Sequence, residues 1–212
     1  MRRCASSGDT WPQWFDVWNV TNFAEREELQ AVGLKETIPT IRHLIFSEAA
    51  LLGGRRDLVV LAGISTGGAT SVHTLFNLDI PKTAGGKLAA FIGFSCRCPF
   101  AGKAVVEMRD VLDLDEVPAH NDVLCNTPVL LEHYVDHPLV LIQNGRGLRD
   151  THCEFGAHVL WKEYPDGGHW INSPIGIDDA VEFLDKFVVT KGKSQVSTSP
   201  HAQATPEAMD LS

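Results

Sequence analysis

The sequence predicts an α/β fold in which helices pack on both sides of a mostly parallel sheet. Three observations predict it. Short, continuously apolar, β-branched runs have the length of strands buried on both faces. The segments between them repeat apolar residues at helical spacing. The two patterns alternate along most of the chain, as a parallel sheet with crossover helices requires. With 212 residues, 44% hydrophobic and 21% charged, the chain suffices for one domain with a substantial core.

At the N-terminus, MRRCASSGDT has two arginines but no apolar run, so it lacks the pattern of a secretory signal. WPQWFDVWNV follows, with three tryptophans and Phe15, and rings so close together are expected to be mostly buried or stacked. The polar REELQAVGLKET predicts a short helix and a turn. From about residue 37 to residue 52, Ile38, Ile41, Ile45, Ala49 and Leu52 mark one face of a stronger helix. Thr37 suits its N-cap, Pro39 its first turn, and Gly53 and Gly54 its end. DLVVLAG then predicts a buried strand, and Ala69, Val72, His73 and Phe76 one face of the helix after it. KLAAFIGFS, TPVLLEHY and AHVLWKEYP predict three further strands. A helix is expected over residues 139–155. The last helix, over about 174–189, is expected to turn Ile177, Val181, Leu184 and Val188 inward, with Asp178 and Asp179 in its first turn. Residues 1–189 thus form one domain, and KGKSQVSTSPHAQATPEAMDLS after it predicts a disordered tail over 190–212.

The net charge of −9 and the absence of a basic stripe exclude nucleic acid as a partner. No apolar run is long enough to span a membrane. Five cysteines without regular spacing point to free thiols and hence to the cytoplasm. Cys96 and Cys98 lack a second ligand pair at zinc-site spacing, so no metal is expected.

The chemistry lies in Gly63-Ile64-Ser65-Thr66-Gly67, a G-x-S-x-G placed between a buried strand and an amphipathic helix. In that context the motif is a nucleophile elbow: a sharp turn lifts the serine hydroxyl above the C-terminal edge of the sheet. Its neighbours must be small because strand and helix nearly touch. The N–H of Thr66 would help to stabilise an oxyanion. A phosphate loop would need G-x-G-x-x-G or a terminal Lys-Ser/Thr, and neither is present. A serine nucleophile needs a base and an orienting group, in the chain order Ser, acid, His. His169, in the glycine-rich YPDGGHW after the fourth strand, is the candidate base. His73 fits a core position, while His43, His120, His152, His158 and His201 have no comparable setting. Asp136 is the carboxylate in the loop after the third strand and suits a helix N-cap equally well; Glu132, within the strand, is weaker.

WFDVW, the Glu-Leu-Gln…Gly-Leu-Lys-Glu-Thr segment, LAGISTGGA, TPVLLEH…DHPLV and YPDGGHW together resemble the phospholipase/carboxylesterase group of α/β-hydrolases, which contains the acyl-protein thioesterases. The resemblance covers about residues 14–189. It implies an α/β-hydrolase-like three-layer sandwich and a cytosolic serine hydrolase of acyl thioesters or carboxylic esters. It further implies Ser65 as nucleophile, His169 as base, an acylated protein or small ester as substrate, and no cofactor.

The chain departs from the group's pattern in three places. Thr66 stands where the group has glutamine. The acid register D-x-x-V falls on His137, in His137-Pro138-Leu139-Val140, with the carboxylate displaced to Asp136. The early strands and HG-x-G loop of the group have no counterpart, so the domain is expected to lack its first strands. Loss of a triad carboxylate costs about ten-thousandfold in turnover, and of one oxyanion donor about a hundred- to a thousandfold. Two functions therefore stand against each other: a serine hydrolase with Ser65, Asp136 and His169, or a catalytically inactive or truncated homologue with at most a binding role.

Overall fold

The computed structural model describes residues 1–189; the expected tail lies outside the described residues. Two-residue strands β1 (Arg2–Arg3) and β2 (Thr10–Trp11) form an antiparallel hairpin. They precede α1 (Glu28–Leu51), β3 (Val60–Ile64), α2 (Ser65–Phe76), β4 (Ala90–Phe94), α3 (Val105–Leu112) and α4 (Asp122–Asn126). Then come β5 (Val129–Tyr134), α5 (Ile142–Glu154), β6 (Val159–Tyr164) and α6 (Ile175–Leu184), which continues as a π-helical turn over Asp185–Val189. The main sheet has the order β3-β4-β5-β6, and every pair is parallel. All its C-terminal ends therefore open on one edge, where ligands bind in folds of this kind.

Strand alternation builds the three layers. Phe91 of β4 joins the larger cluster, with Leu34 and Ile38 of α1, Val72 and Phe76 of α2, Met108 of α3 and Leu148 of α5. Ala90 and Ile92 face the other way, onto Ala180 and Phe183 of α6. Burial of each such Leu, Ile or Phe contributes about 1.5–3 kcal/mol.

Several elements differ from the sequence expectation. The helix expected from residue 37 begins at Glu28, and the polar REELQAVGLKET segment supplies its first half. Tertiary contacts hold that half. Gly33 lies so close to Phe15 that a Cβ there would fall 2.6 Å from the Phe15 Cβ, and the Arg97 guanidinium donates to Gln30. Thr37 is no cap; its hydroxyl donates to the Gly33 carbonyl one turn back, at 2.7 Å. Pro39 is interior, and the cost of its missing N–H, about 3 kcal/mol, is offset by the buried face of Leu34, Ile38, Ile45 and Ala49.

Of the aromatic cluster only Phe15 is fully buried; Trp11 and Trp14 are exposed, and Trp18 stacks under the Arg26 guanidinium. The sequence signalled neither α3 nor α4. Helix α6 meets the sheet on the expected face at one end only: Leu184 and Val188 pack against the cluster, but Gly176, Ala180 and Phe183 are the buried residues, and Ile177 and Val181 are 44% and 53% exposed. Phenylalanine on the neighbouring stripe buries more area than valine or isoleucine and wins the contact with β4 and β5.

Among the described residues β3 has a strand partner on one side alone. An apolar groove of about 400 Å³ runs along it, lined by Trp14, Ile41, Leu44, Val60 and Ile64 among others. No helix among the described residues is long and apolar enough to cross a membrane.

The orientation of α6 is directly testable. Phe183→Ala should lower the unfolding free energy by about 3–5 kcal/mol, and Val181→Ala by no more than about 0.5 kcal/mol, in urea titrations. Equal costs would place Val181 on the buried face.

Candidate active site

Ser65 is the first residue of α2 and has φ +54°, a left-handed conformation that L residues adopt at a cost of about 1–2 kcal/mol. The packing behind it enforces the bend. A Cβ on Gly63 would lie 2.7 Å from the Gly68 Cα, and one on Gly68 2.7 Å from the Cys96 Cβ. Strand and helix thus touch at two glycines, and the chain between them must turn sharply. The Thr66 N–H sits in the first turn of the 12-residue α2, where no intrahelical acceptor exists. Ser65 itself is half-buried, and its hydroxyl has no hydrogen-bond partner among the described residues.

His169 lies in the loop after β6, pinned over the same edge from two sides. The Asp136 carboxylate accepts from the Gly168 N–H at 3.1 Å and the Gly167 N–H at 3.3 Å. The Ser95 hydroxyl, at the end of β4, donates to the Trp170 carbonyl at 3.3 Å. Asp136 therefore fixes the backbone of the histidine loop rather than the imidazole. Its neighbour His137 takes the position expected of the acid: His137 Nε2 lies 2.6 Å from His169 Nδ1. The displacement follows from the turn, which buries residue 137 and leaves Asp136 at the surface.

The phospholipase/carboxylesterase family model matches residues 3–188. The chain belongs to that family. Acyl-protein thioesterase 1 of Gibberella zeae is 26% identical over 184 residues, 85% of this chain and 70% of the relative. Carboxylesterase SOBER1 of Arabidopsis thaliana is 23% identical over 193 residues, 91% of this chain and 74% of the relative. The crystal structure of Arabidopsis SOBER1 superposes with a TM-score of 0.68 at 20% identity, covering 88% of this chain and 78% of that one. Zea mays acyl-protein thioesterase 2 does so with 0.60 at 22%, covering 82% and 71%. The relatives are esterases and thioesterases, and the α/β sandwich is common to the solved structures.

In this member of the family, Ser65 and Thr66 open on a cavity of about 130 Å³, walled by Val17, Val20, Phe23, Ala69, Leu139 and Val140 and reached by Arg97. The Arg97 guanidinium lies over the Phe23 ring at 3.9 Å, and burial lowers it to about 10, which leaves it charged. Nothing in the CRC motif singled out this arginine, because its burial depends on Phe15, Phe23 and Gln30, distant in sequence.

Burial, with His133 and His169 close by, lowers His137 to about 4, so it is neutral at neutral pH. His73, in the core, donates from Nε2 to the Pro99 carbonyl at 2.9 Å and is lowered to about 4 by burial. Glu132 points to the opposite face of the sheet, beneath Gly176 of α6, and does not reach His169. Its carboxyl has no hydrogen-bond partner, and burial, followed by the Asp179 charge, raises it to about 8. No group of three or more His, Cys, Asp and Glu among the described residues could hold a metal ion.

Ser65→Gly should unfold at higher urea than Ser65→Ala, by about 1 kcal/mol, because alanine keeps the strained Cβ; equal stabilities would remove the strain. Glu132 yields a second expectation. It ionises near 4.5 when unfolded and near 8 when folded, so the folded state holds an extra proton between these values. Its contribution to stability is complete below the lower value and is lost as pH rises through the upper one. Glu132→Gln should therefore gain stability over wild type progressively from about pH 5 to about pH 8.5. A constant difference across that range would refute the buried acid. The buried histidines titrate in the opposite sense and cancel in the comparison.

Proposed function

We propose that this chain is a serine hydrolase that cleaves acyl thioesters or carboxylic esters through an acyl-enzyme. One observation carries the proposal: a serine at φ +54° stands between a parallel strand and a helix N-terminus, open to an apolar cavity. Ser65 Oγ attacks the acyl carbonyl while His169 takes its proton, and the Thr66 N–H donates to the oxygen that becomes negative. His169 then returns the proton to the departing alcohol or thiol. Water repeats the sequence on the acyl-serine to release the acid and free Ser65. Asp136 serves by holding residues 167 and 168, and His137 lies against the base.

The cavity bears on the substrate. An engineered cavity of about 150 Å³ holds a molecule of benzene's size, so about 130 Å³ suits a short acyl group better than a long chain. The substrate class is accordingly a small ester, or a protein bearing a short acyl group. Action in the cytoplasm is supported by five free thiols. A second function, a silent homologue that only binds, is favoured by one contact: the base meets His137 where a carboxylate is needed.

Incubation of the full chain with a fluorophosphonate should label Ser65, and Ser65→Ala should abolish the label. With p-nitrophenyl esters, acetate and butyrate should exceed palmitate in kcat/KM by about tenfold or more, the reach of a few methylenes of mismatch. Labelling that survives in Ser65→Ala would end the proposal. A preference for palmitate would end the short-chain assignment.

A further inference from the structure

We infer that His137 is a positioning residue that locks His169 in the tautomer with its proton on Nε2, the nitrogen that the base of a serine triad must leave free. The inference rests on the hydrolase function proposed above.

The lock is read from three contacts. His137 Nδ1 lies 2.8 Å from the Val140 N–H and 3.1 Å from the Leu139 N–H. A backbone N–H only donates, so Nδ1 must be the unprotonated acceptor. His137 is buried and neutral, and a neutral imidazole carries one proton, so that proton sits on Nε2. The same Nε2 is 2.6 Å from His169 Nδ1, which must then accept. Neutral His169 accordingly keeps its own proton on Nε2, the nitrogen not engaged by His137.

The groups around the pair do not relieve this. His133 donates from Nε2 to the Val140 carbonyl at 2.7 Å and packs its ring 5.2 Å from that of His137. Asp136 is engaged with Gly167 and Gly168. Among the described residues no carboxylate hydrogen-bonds to either ring.

A serine triad needs the reverse arrangement, with Nδ1–H donated to a carboxylate and Nε2 free to take the serine proton. Once His169 takes that proton it carries N–H on both nitrogens. Its Nδ1–H then faces the Nε2–H of His137, donor against donor, with no negative charge to hold the cation. His137 cannot escape by moving its proton to Nδ1, because that would aim it at two amide donors. The backbone amides of Leu139 and Val140 thus decide, through one intervening ring, where the proton sits on His169.

The same geometry says what would release the lock. An aspartate at 137 could accept both amides with one oxygen and the His169 Nδ1–H with the other. In long-range ¹H–¹⁵N spectra of the full chain at mildly alkaline pH, His169, assigned by loss of its signals in His169→Asn, should be the Nε2–H tautomer. In His137→Asp it should become Nδ1–H. On p-nitrophenyl acetate, kcat should rise by up to about ten-thousandfold in His137→Asp, the measured order of a wrong-tautomer triad, with KM little changed. His137→Ala removes the lock together with the acceptor of two amides, and where it still labels with fluorophosphonate it should be at least as active as wild type.

Wild-type His169 found as Nδ1–H would overturn the inference. So would an unchanged kcat in a His137→Asp protein, or a lowered kcat in a His137→Ala protein, that still labels with fluorophosphonate. Failure of the hydrolase function itself reads differently: no variant would label at Ser65, while the tautomer spectra would still report on the lock.

Discussion

The site depends on a contact that involves no functional group. Where β3 meets α2, Gly63 and Gly68 lie so close that neither tolerates a Cβ, and Gly68 also abuts Cys96. The approach leaves the chain no room for a relaxed turn, so Ser65 takes up a left-handed conformation. From that one constraint come the placement of Ser65 at the C-terminal edge of the sheet, the free N–H of Thr66 beside it, and the opening onto the apolar cavity. The strain at Ser65, about 1–2 kcal/mol, is held by a core in which Val72, Leu75 and Phe76 of the same helix are fully buried.

The second half of the site is organised by backbone amides. Two of them, in residues 167 and 168, hold the Asp136 carboxylate and so fix the loop of His169. Two others, in residues 139 and 140, hold His137 Nδ1. The loop after β5 therefore has a socket of two donors facing a ring nitrogen, which an aspartate would fill with its charge and a histidine fills with a lone pair. The occupants are sterically similar and electrically opposite in effect. One stabilises an imidazolium, whereas the other repels its proton.

How much of this was legible in the sequence depended on the range of the determining contacts. The four parallel strands and the elbow were legible because each is encoded locally, by continuous apolar runs and by small residues around one serine. The first half of α1 was not, because Gln30 and Gly33 are held by Arg97 and by Phe15, outside any helical stripe. The face of α6 was legible at Leu184 and Val188 but not at Ile177 and Val181, because two stripes compete there and the sheet buries the one bearing Phe183. His137 was visible as the residue in the acid register. Its effect on His169 was not, since that turns on which ring nitrogen meets the amides, and no spacing rule encodes that choice.

Leu139 and Val140 serve twice, and the two services are coupled. Their N–H groups bind His137 Nδ1, and their side chains wall the cavity beside Ser65. Acyl fit and base tautomer are thus two consequences of one short turn. His133 fastens the turn again through the Val140 carbonyl, so three histidines and two amides form a continuous polar seam from the core of β5 to the mouth of the site. A buried network of this kind is rigid only while every donor meets an acceptor. The neutral seam meets that condition at each of these contacts, and a second proton on His169 would break it by setting Nδ1–H against the Nε2–H of His137.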